Sequence, residues 1–596
     1  MQGRFFSMRN LQFLLYDVFD AESVGKDPFF DYDRGTFDTV LQTGATIAGE
    51  LLQPNLRELD KHPPELVDGI LKVHPSVKTF LDECGSGGWI SAGALLENGG
   101  QQMPMMIVSA FRFIFAAANY SLCVYPFLTS GAARLIENFG SEEMKSTYLP
   151  RMFSGEWQGT MALTEPQAGS SLSDLSTTAV PDGDQYKLSG QKIFISSGDH
   201  DAVNNIVHLV LAKIKGAPPG VKGISLFVVP KLRDDGKGNL VPNDVTTAAI
   251  YHKMGYRGAP ITQLSFGEQG DCHAYLVGQA NSGLSYMFQM MNEARLEVGS
   301  AAAAMASAAY YASLEYAQER PQGRRLNSKD SSLPPVPIIE HPDVKRMLLF
   351  QRAVVEGSLS LVLQCAKYAD MARVSSGDVK ADYELLLDLL TPVAKSYPSE
   401  MAVSSVSQGL QILGGYGYCD EYPLEQLYRD VRIHPIHEGT TGIQAIDLLG
   451  RKVLAKSGKA FARFVEELRK AITQAEADAE MRPYGEKLSH ALGLLQSVTE
   501  ALIARSAHAD RESLLADATL YLEAYGIVAI AWQWLLQGLK VQEALRTGAD
   551  GAFYRGKWDA MRYFFHYELP KVQYLTQRLS EDDALTARVS TENFKD

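Results

Sequence analysis

The chain has 596 residues, of which 46% are hydrophobic and 21% are charged, and its formal net charge is −14. The length exceeds that of one typical domain and predicts several hydrophobic cores. The negative charge argues against a nucleic-acid or anionic-membrane partner, because both need clustered Lys and Arg side chains. The five cysteines form no CxxC pair and no His residues have metal-ligand spacing, so we predict free thiols in a reducing compartment and no metal site.

The N-terminal segment has apolar side chains at helical spacing, but Asp17 and Asp20 interrupt them. A signal peptide or a membrane span has no such charges in its apolar core. We find no uncharged apolar run elsewhere that is long enough to cross a bilayer. The sequence therefore predicts a cytoplasmic protein without a membrane partner.

Four segments with different patterns follow one another along the chain. Residues 1–160 have apolar residues at three-to-four spacing, which predicts an N-terminal helical domain. Residues 161–280 carry short β-rich runs between turn-forming residues, which predicts a middle antiparallel β domain. Residues 281–455 predict a helical bundle with a polar, proline-containing loop at 324–337, and residues 456–596 predict an additional C-terminal helical domain. The fold class is therefore mainly α.

One carboxylate has a distinctive position in this pattern. Glu438 is followed by Gly439 and two threonines, and an apolar helical run begins directly afterwards. The order places Glu438 at a loop-to-helix junction, where functional side chains are common. Gly439 lets the backbone turn and a ligand approach, and Thr440 or Thr441 can cap the helix. Glu438 is then either a catalytic base or an acidic residue that suits the helix dipole.

Three further stretches carry groups that could contact a ring system or a phosphate. Residues 163–170 offer hydroxyl and backbone N–H donors. Residues 189–198 place an aromatic, Phe194, two residues before the hydroxyl of Ser196. Residues 408–418 contain glycines that would let the backbone approach a nucleotide. Each stretch also has a plain structural interpretation: a turn, a core Phe in a strand, and a helix that ends in a Gly turn.

Together these stretches resemble the acyl-CoA dehydrogenase family of flavoproteins. The resemblance covers about residues 80–455. It depends on the order in which the matching stretches follow one another through a helical, a β and a second helical region. The matching stretches are 139–151, 164–170, 190–198, 253–258, 316–320, 411–415 and 438–440. Within the family the chain is similar to the long branch that includes methylthiopropionyl-CoA dehydrogenase-like enzymes. That branch carries an N-terminal extension, an insertion after a Tyr-Ala-x-x-Arg motif and a helical C-terminal domain.

The resemblance implies FAD-dependent α,β-dehydrogenation of an acyl-CoA thioester to trans-2-enoyl-CoA. It makes Glu438 the base and flavin N5 the hydride acceptor. The implied cofactor-binding residues are Thr164, Ser170, Phe194, Ser196, Arg320, Gln411, Gly414, Gly415, Thr440 and Gln444. The implied substrate-binding residues are Ser170, Asn292, Arg295 and Gly439, with Arg295 facing the nucleotide end of CoA. The implied partners are an acyl-CoA, an electron-transferring flavoprotein and a second copy in a homodimer, whose FAD Arg320 would contact.

Some positions depart from the family pattern. Asn292 stands where the family usually has Asp, Ser171 where it has Asp, and Phe194 where it has Trp. The run after Arg320 is Pro-Gln-Gly, one residue shorter than usual and without the common Phe. Three alternatives share the fold: an acyl-CoA oxidase that uses oxygen, a non-catalytic DNA-protective flavoprotein, and a nitroalkane-oxidising enzyme. The last is expected to have Asp rather than Glu438 as the base.

Overall fold

The computed structural model describes residues 3–24, 32–327, 330, 332–454, 458–549, 551–581 and 583–596. The chain divides into two compact units. One, the sheet unit, comprises residues 35–294, and the other, the helical unit, comprises residues 3–34 and 295–596. The predicted domain boundary at residues 455 and 456 lies outside the described residues.

The helices and strands are numbered along the described chain. The α-helices are α1 Met8–Gln12, α2 Ala21–Val24, α3 Arg34–Ile47, α4 Leu56–Lys61, α5 Ser76–Ser86, α6 Met105–Phe139, α7 Glu142–Phe153, α8 Gly283–Glu319, α9 Pro342–Val374, α10 Gly377–Leu413, α11 Leu424–Val431, α12 Thr441–Asp447, α13 Lys459–Glu476, α14 Arg482–Arg505, α15 Arg511–Leu515, α16 Ala518–Arg546, α17 Gly551–Tyr563, α18 Lys571–Ser580 and α19 Leu585–Arg588. The strands are β1 Glu65–Val67, β2 Ile70–Lys72, β3 Trp157–Ala162, β4 Thr178–Asp182, β5 Gln185–Ser196, β6 Asn205–Ile214, β7 Ile224–Pro230, β8 Leu232–Asp234, β9 Leu240–Pro242, β10 Val245–Ile250, β11 Ile261–Phe266 and β12 His273–Leu276.

The main sheet of the sheet unit has the strand order β10-β11-β5-β12-β7-β6-β3, and β4 pairs with both β5 and β6. The predicted β domain is confirmed, but the sheet is mixed rather than antiparallel. Strands β3 and β6, and strands β4 and β6, pair in parallel. Parallel pairing needs a long connection, and the chain between β3 and β6 supplies one through β4 and β5. Strands β6 and β7 are almost wholly buried, which explains their continuous apolar runs.

A small hairpin lies in the region that the sequence predicts to be helical. Strands β1 and β2 pair antiparallel around Asp68 and Gly69, whose φ angles are 50° and 77°. Two successive positive φ angles are typical of the tight turn that an Asp-Gly pair favours. The Asp-Gly signal was therefore present in the sequence, although its flanking strands have only three residues each.

The helical unit is built around one continuous apolar core. A two-residue connection joins α9 to α10, which makes them a helical hairpin. The core continues from these helices through α12 and α13 to α18. Residues 459–580 of the C-terminal part therefore share a hydrophobic core with α9 and α10.

Three helical stretches are long and apolar enough to cross a membrane by length and composition: Met105–Phe139, Pro342–Val374 and Arg511–Arg546, the last of which runs through α15 and α16. The expectation that no uncharged apolar run is long enough to cross a bilayer was wrong. In Met105–Phe139 no charged residue occurs between Arg112 and Arg134. Of the most apolar windows of the three helical stretches, 89%, 89% and 61% are buried inside the fold. Burial within the protein accounts for their apolar composition.

Candidate active site

Glu438 lies in the loop between α11 and α12, as the sequence predicts. Thr440 is the N-cap of α12, and its side chain accepts a hydrogen bond from the Ile443 N–H. The predicted cap is therefore confirmed. Glu438 itself is half-buried, and its φ angle is +53°. A non-glycine residue in this left-handed region is strained, and such residues are concentrated at functional sites.

Two cations act on the Glu438 carboxylate. Loss of solvation raises the pKa of Glu438 above its usual 4.5, while the charges of Arg295 and Lys395 lower it, and the net shift is upward. His434 and His437 lie beside them, with Nδ1 of His434 3.1 Å from Nε2 of His437. Burial lowers the pKa of both imidazoles, that of His437 to about 3. Both histidines are therefore neutral near pH 7, and the nearby positive charges come from Arg295 and Lys395.

Arg295 is buried, with 5% of its surface exposed. Its Nη1 lies 3.2 Å from Oδ2 of Asp447 on α12, and the two side chains form a buried ion pair. This pairing links α8 to the helix that follows Glu438. The resemblance implies that Arg295 contacts CoA, and this role stays a prediction. The structure shows in addition that the Arg295 charge lies close enough to act on Glu438, the predicted base. Asn292, one turn earlier on α8, is half-buried.

Gln444 holds the other side of the Glu438 loop. Its Nε2 donates to the Glu438 carbonyl at 2.9 Å, and the side chain is fully buried. A Cβ added at Gly439, whose φ is +86°, would lie 2.6 Å from Gln444 Nε2. Position 439 therefore requires glycine both for its backbone conformation and for this close approach.

A second group of predicted residues lies around the end of α10. Gly414 ends the helix with φ +61°, and a Cβ at Gly414 or Gly415 would have no atom within 4 Å. Arg320 stands over the ring of Tyr416 at 5.7 Å. The structure thus brings Arg320 together with the glycine turn, and Gln411 is exposed on the last turn of α10. The pattern did not predict the aromatic cluster at this place, in which Tyr422 contacts the rings of both Tyr316 and Tyr416.

In the sheet unit, the predicted flavin residues lie around the end of β5. Phe194 is 58% exposed and has φ +58°, which rules out the interpretation of a core Phe in a strand. Its ring centroid lies 4.7 Å from that of Tyr251. The Ile193 N–H donates to the Thr164 carbonyl at 2.9 Å, which brings the loop at 163–170 to this end of the strand. Ser196 is half-buried, and Ser170 is exposed on the loop.

A buried ion pair that the motifs did not predict holds this loop. Lys192 Nζ on β5 lies 2.8 Å from Glu165 Oε1 and donates to the Leu163 carbonyl at 2.9 Å. Both side chains are at most 1% exposed. Burial raises the pKa of Glu165, but the Lys192 charge and hydrogen bonds from Thr177 and Ser176 lower it to about 2. The carboxylate is therefore ionised and fixes the backbone next to Thr164.

Models of four acyl-CoA dehydrogenase domains match the chain. They are the N-terminal domain at residues 46–156, the middle domain at 160–268, the C-terminal domain at 281–454, and an acetyl-CoA dehydrogenase C-terminal-like domain at 464–590. The chain is 38% identical to the 3-methylmercaptopropionyl-CoA dehydrogenase of Ruegeria pomeroyi, over 92% of this chain and 93% of that protein. The chain belongs to the acyl-CoA dehydrogenase family.

The similarity to other relatives also covers nearly the whole chain of this acyl-CoA dehydrogenase. It is 33% identical to a butyryl-CoA dehydrogenase of Syntrophomonas wolfei, over 95% of each chain. Among solved structures, ACDH-11 of Caenorhabditis elegans in complex with C11-CoA has a TM-score of 0.74 at 21% identity. That likeness covers 92% of this chain and 91% of the other, and it shows the shared fold.

The acyl-CoA dehydrogenase is an FAD-dependent oxidoreductase that acts on the CH–CH bond of acyl-CoA thioesters. Its residues fit the cofactor. The open backbone at Gly414 and Gly415 permits a nucleotide to approach, and the exposed face of Phe194 can contact a flavin ring. The buried Oε1 of Gln444 has no hydrogen-bond partner among the residues that the structure describes, so it can accept one from a ligand.

Proposed function

We propose that Glu438 is the base that removes the α-proton of the acyl-CoA thioester. The observation that carries the proposal is a half-buried carboxylate on a residue with a strained backbone. Loss of solvation raises the pKa of this carboxylate, and two cations limit the rise. A general base works best when its pKa lies near the working pH. A bound acyl chain would remove more water and raise the pKa of Glu438 further.

The backbone N–H of Glu438 is a second group that can assist removal of the α-proton. Among the described residues, none accepts a hydrogen bond from the Glu438 N–H. This N–H is therefore available to the thioester carbonyl, where negative charge develops as the α-proton leaves. One such donor contributes about 3 kcal/mol to the stability of an oxyanion. FAD, when bound, supplies the hydride acceptor for the β-carbon.

The pH dependence of turnover follows from the same carboxylate. The folded-state pKa of Glu438 lies above 4.5, so the carboxylate gains a proton, and stops acting as a base, at a higher pH than an exposed Glu would. We expect the rate of flavin reduction to fall as the pH is lowered through a single ionisation above 4.5. Stopped-flow reduction at a series of pH values measures this. A rate that stays constant down to the stability limit of the protein would contradict it.

We infer that the substrate is a short linear acyl-CoA. The inference rests on the relatives that are named for butyryl-CoA and 3-methylmercaptopropionyl-CoA, both of which carry short acyl groups. Anaerobic bleaching of the flavin by a series of acyl-CoAs of increasing length tests it. We expect the highest kcat/KM for chains of butyryl length or for the methylthio analogue. A maximum at long-chain acyl-CoA would reject the short-chain assignment.

We further infer that a cytoplasmic electron-transferring flavoprotein accepts the electrons and that the protein acts as a homodimer. The alternative acceptor is oxygen, as in an acyl-CoA oxidase. With purified protein and butyryl-CoA, we expect little hydrogen peroxide without the flavoprotein. A stoichiometric peroxide yield would support the oxidase instead, and light scattering gives the number of copies in solution.

Arg320 is expected to hold the pyrophosphate of FAD. It is exposed beside the open turn at Gly414, and hydrogen bonds from Arg to phosphate contribute about 1.5–3 kcal/mol. We expect Arg320→Ala to weaken FAD binding roughly 10- to 100-fold. The ratio of flavin to protein absorbance after dialysis measures the loss. Arg346→Ala, which removes an exposed Arg on α9 that pairs with Asp343, should keep its flavin, and equal retention in both variants would contradict the assignment.

A further inference from the structure

Lys395 on α10 is buried beside the predicted base. Its side chain has no exposed surface, and its ammonium group donates hydrogen bonds to backbone carbonyls. Lys395 Nζ donates to the His434 carbonyl at 2.7 Å and to the Gly439 carbonyl at 2.8 Å. These two carbonyls are the first and last of the segment 434–439, which we call the base loop. One side chain therefore ties together both ends of the loop that carries Glu438.

The base loop has a conformation that needs such ties. Glu438 and Gly439 are both left-handed, with φ angles of 53° and 86°. A non-glycine residue in this region is strained and persists only where its surroundings hold it. Gln444 Nε2 binds the Glu438 carbonyl, and the Thr441 N–H binds the Pro435 carbonyl. The two bonds from Lys395 reach the loop from a separate long helix, α10.

Three charged groups act on the Lys395 ammonium group. The charged groups that face Lys395 are Glu438 and Glu400, which favour its cationic form, and Arg295, which opposes it. Together with burial they bring the pKa of Lys395 to about 8. Arg295 already pairs with Asp447, whereas both hydrogen bonds that the structure gives for Lys395 go to neutral carbonyls. The positive charge of Lys395 is therefore available to the Glu438 carboxylate.

We propose that Lys395 is a positioning residue for Glu438: its ammonium group fixes the base loop in its strained conformation and places a positive charge close to the Glu438 carboxylate. This inference rests on the proposed role of Glu438. It gives helix α10 a role in the reaction, although α10 lies outside the sequence motif around Glu438. It also explains a buried cation whose two hydrogen bonds go to neutral carbonyls, since an uncompensated buried charge is otherwise costly.

Two substitutions separate the contributions of Lys395. Lys395→Met keeps the length of the apolar stem but removes the donor and the charge. Lys395→Gln removes the charge and keeps an N–H donor, on a side chain that is one atom shorter. The matched control is Lys367→Met, because Lys367 on α9 also donates to a carbonyl, that of Phe19, at 2.8 Å. The measurements are kcat and KM as a function of pH and hydrogen exchange of the peptides that cover 434–444.

We expect Lys395→Met to lower kcat by up to about 10²-fold with little change in KM, because a displaced base costs rate rather than binding. The pH at which kcat is half-maximal should rise by about one unit, since a positive charge near Glu438 is lost. Hydrogen exchange in 434–444 should become faster. Lys395→Gln should show the same rise in pH with a smaller change in exchange, and Lys367→Met should match the wild type in both.

The inference is overturned if both Lys395 variants keep the wild-type pH profile and wild-type exchange in 434–444. A loss of kcat that is equal at all pH values, with unchanged exchange, would also overturn it. If Lys395→Met does not fold, the pH profile of Lys395→Gln decides. A variant Glu438→Gln that retains turnover would instead refute the role of Glu438 itself, so the two failures are distinguishable.

Discussion

Replacement of Glu438 by Gln is expected to lower kcat on the order of 10²- to 10⁴-fold, which is the typical contribution of a general base. The amide has nearly the shape of the carboxylate but cannot accept the α-proton. The backbone contacts of the loop involve carbonyls and the Gln444 side chain rather than the Glu438 carboxylate. The variant should therefore fold, retain yellow FAD and bind acyl-CoA. Steady-state turnover and flavin content measure the two properties separately.

The matched control for this variant is Glu425→Gln. Glu425 is a carboxylate of α11 in the same unit, and it pairs with Arg429 at 2.8 Å on the same helix. We expect its kcat to stay close to that of the wild type. Retained turnover in Glu438→Gln would refute the assignment of the base, whereas loss of flavin from that variant would point to a structural defect.

Replacement of Lys192 by Met is expected to destabilise the sheet unit by about 3–5 kcal/mol, because it leaves the buried carboxylate of Glu165 without its cation. Glu165 also accepts hydrogen bonds from the Ser176 and Thr177 backbone, so its displacement would disturb the loop that carries Thr164. We expect the variant to melt at a lower temperature and to lose FAD. Thermal unfolding and flavin content measure both effects.

Lys187→Met provides the comparison on the same strand. Lys187 pairs with Asp271 at the surface, where 28% and 53% of the two side chains are exposed. An exposed ion pair contributes little, so this variant should melt close to the wild type. The double variant Lys192→Met with Glu165→Met should recover much of the lost stability. Equal melting temperatures for Lys192→Met and Lys187→Met would contradict the role of the buried pair.

Local patterns in the sequence predicted the features that depend on neighbouring residues. The Thr440 cap and the helix after Glu438 follow from a Thr before an apolar helical run. Helix α8 begins at Gly283, close to the predicted start of the helical bundle at residue 281. The β domain follows from alternating and β-branched runs between turn-forming residues. In each case the decisive residues lie within a few positions of one another.

The features that the sequence did not predict depend on residues that are far apart in the chain. Lys395 lies on α10, a different helix from those around the base loop, and Lys192 lies 27 positions from Glu165. A lysine in a helix or a strand has no local signal of burial, since most lysines are exposed. The parallel pairing of β3 with β6 likewise depends on strand order, which periodicity does not encode. These contacts fix the site, although its chemistry-bearing residues are visible in the motifs.

The most direct test of the account is the rate at which butyryl-CoA bleaches the flavin of the purified protein without oxygen. We predict rapid bleaching with the wild type, slower bleaching when the hydrogens on the α-carbon are replaced by deuterium, and almost none with Glu438→Gln. Bleaching of Glu438→Gln at the wild-type rate, or a rate that is insensitive to α-deuteration in both proteins, would contradict the removal of the α-proton by Glu438.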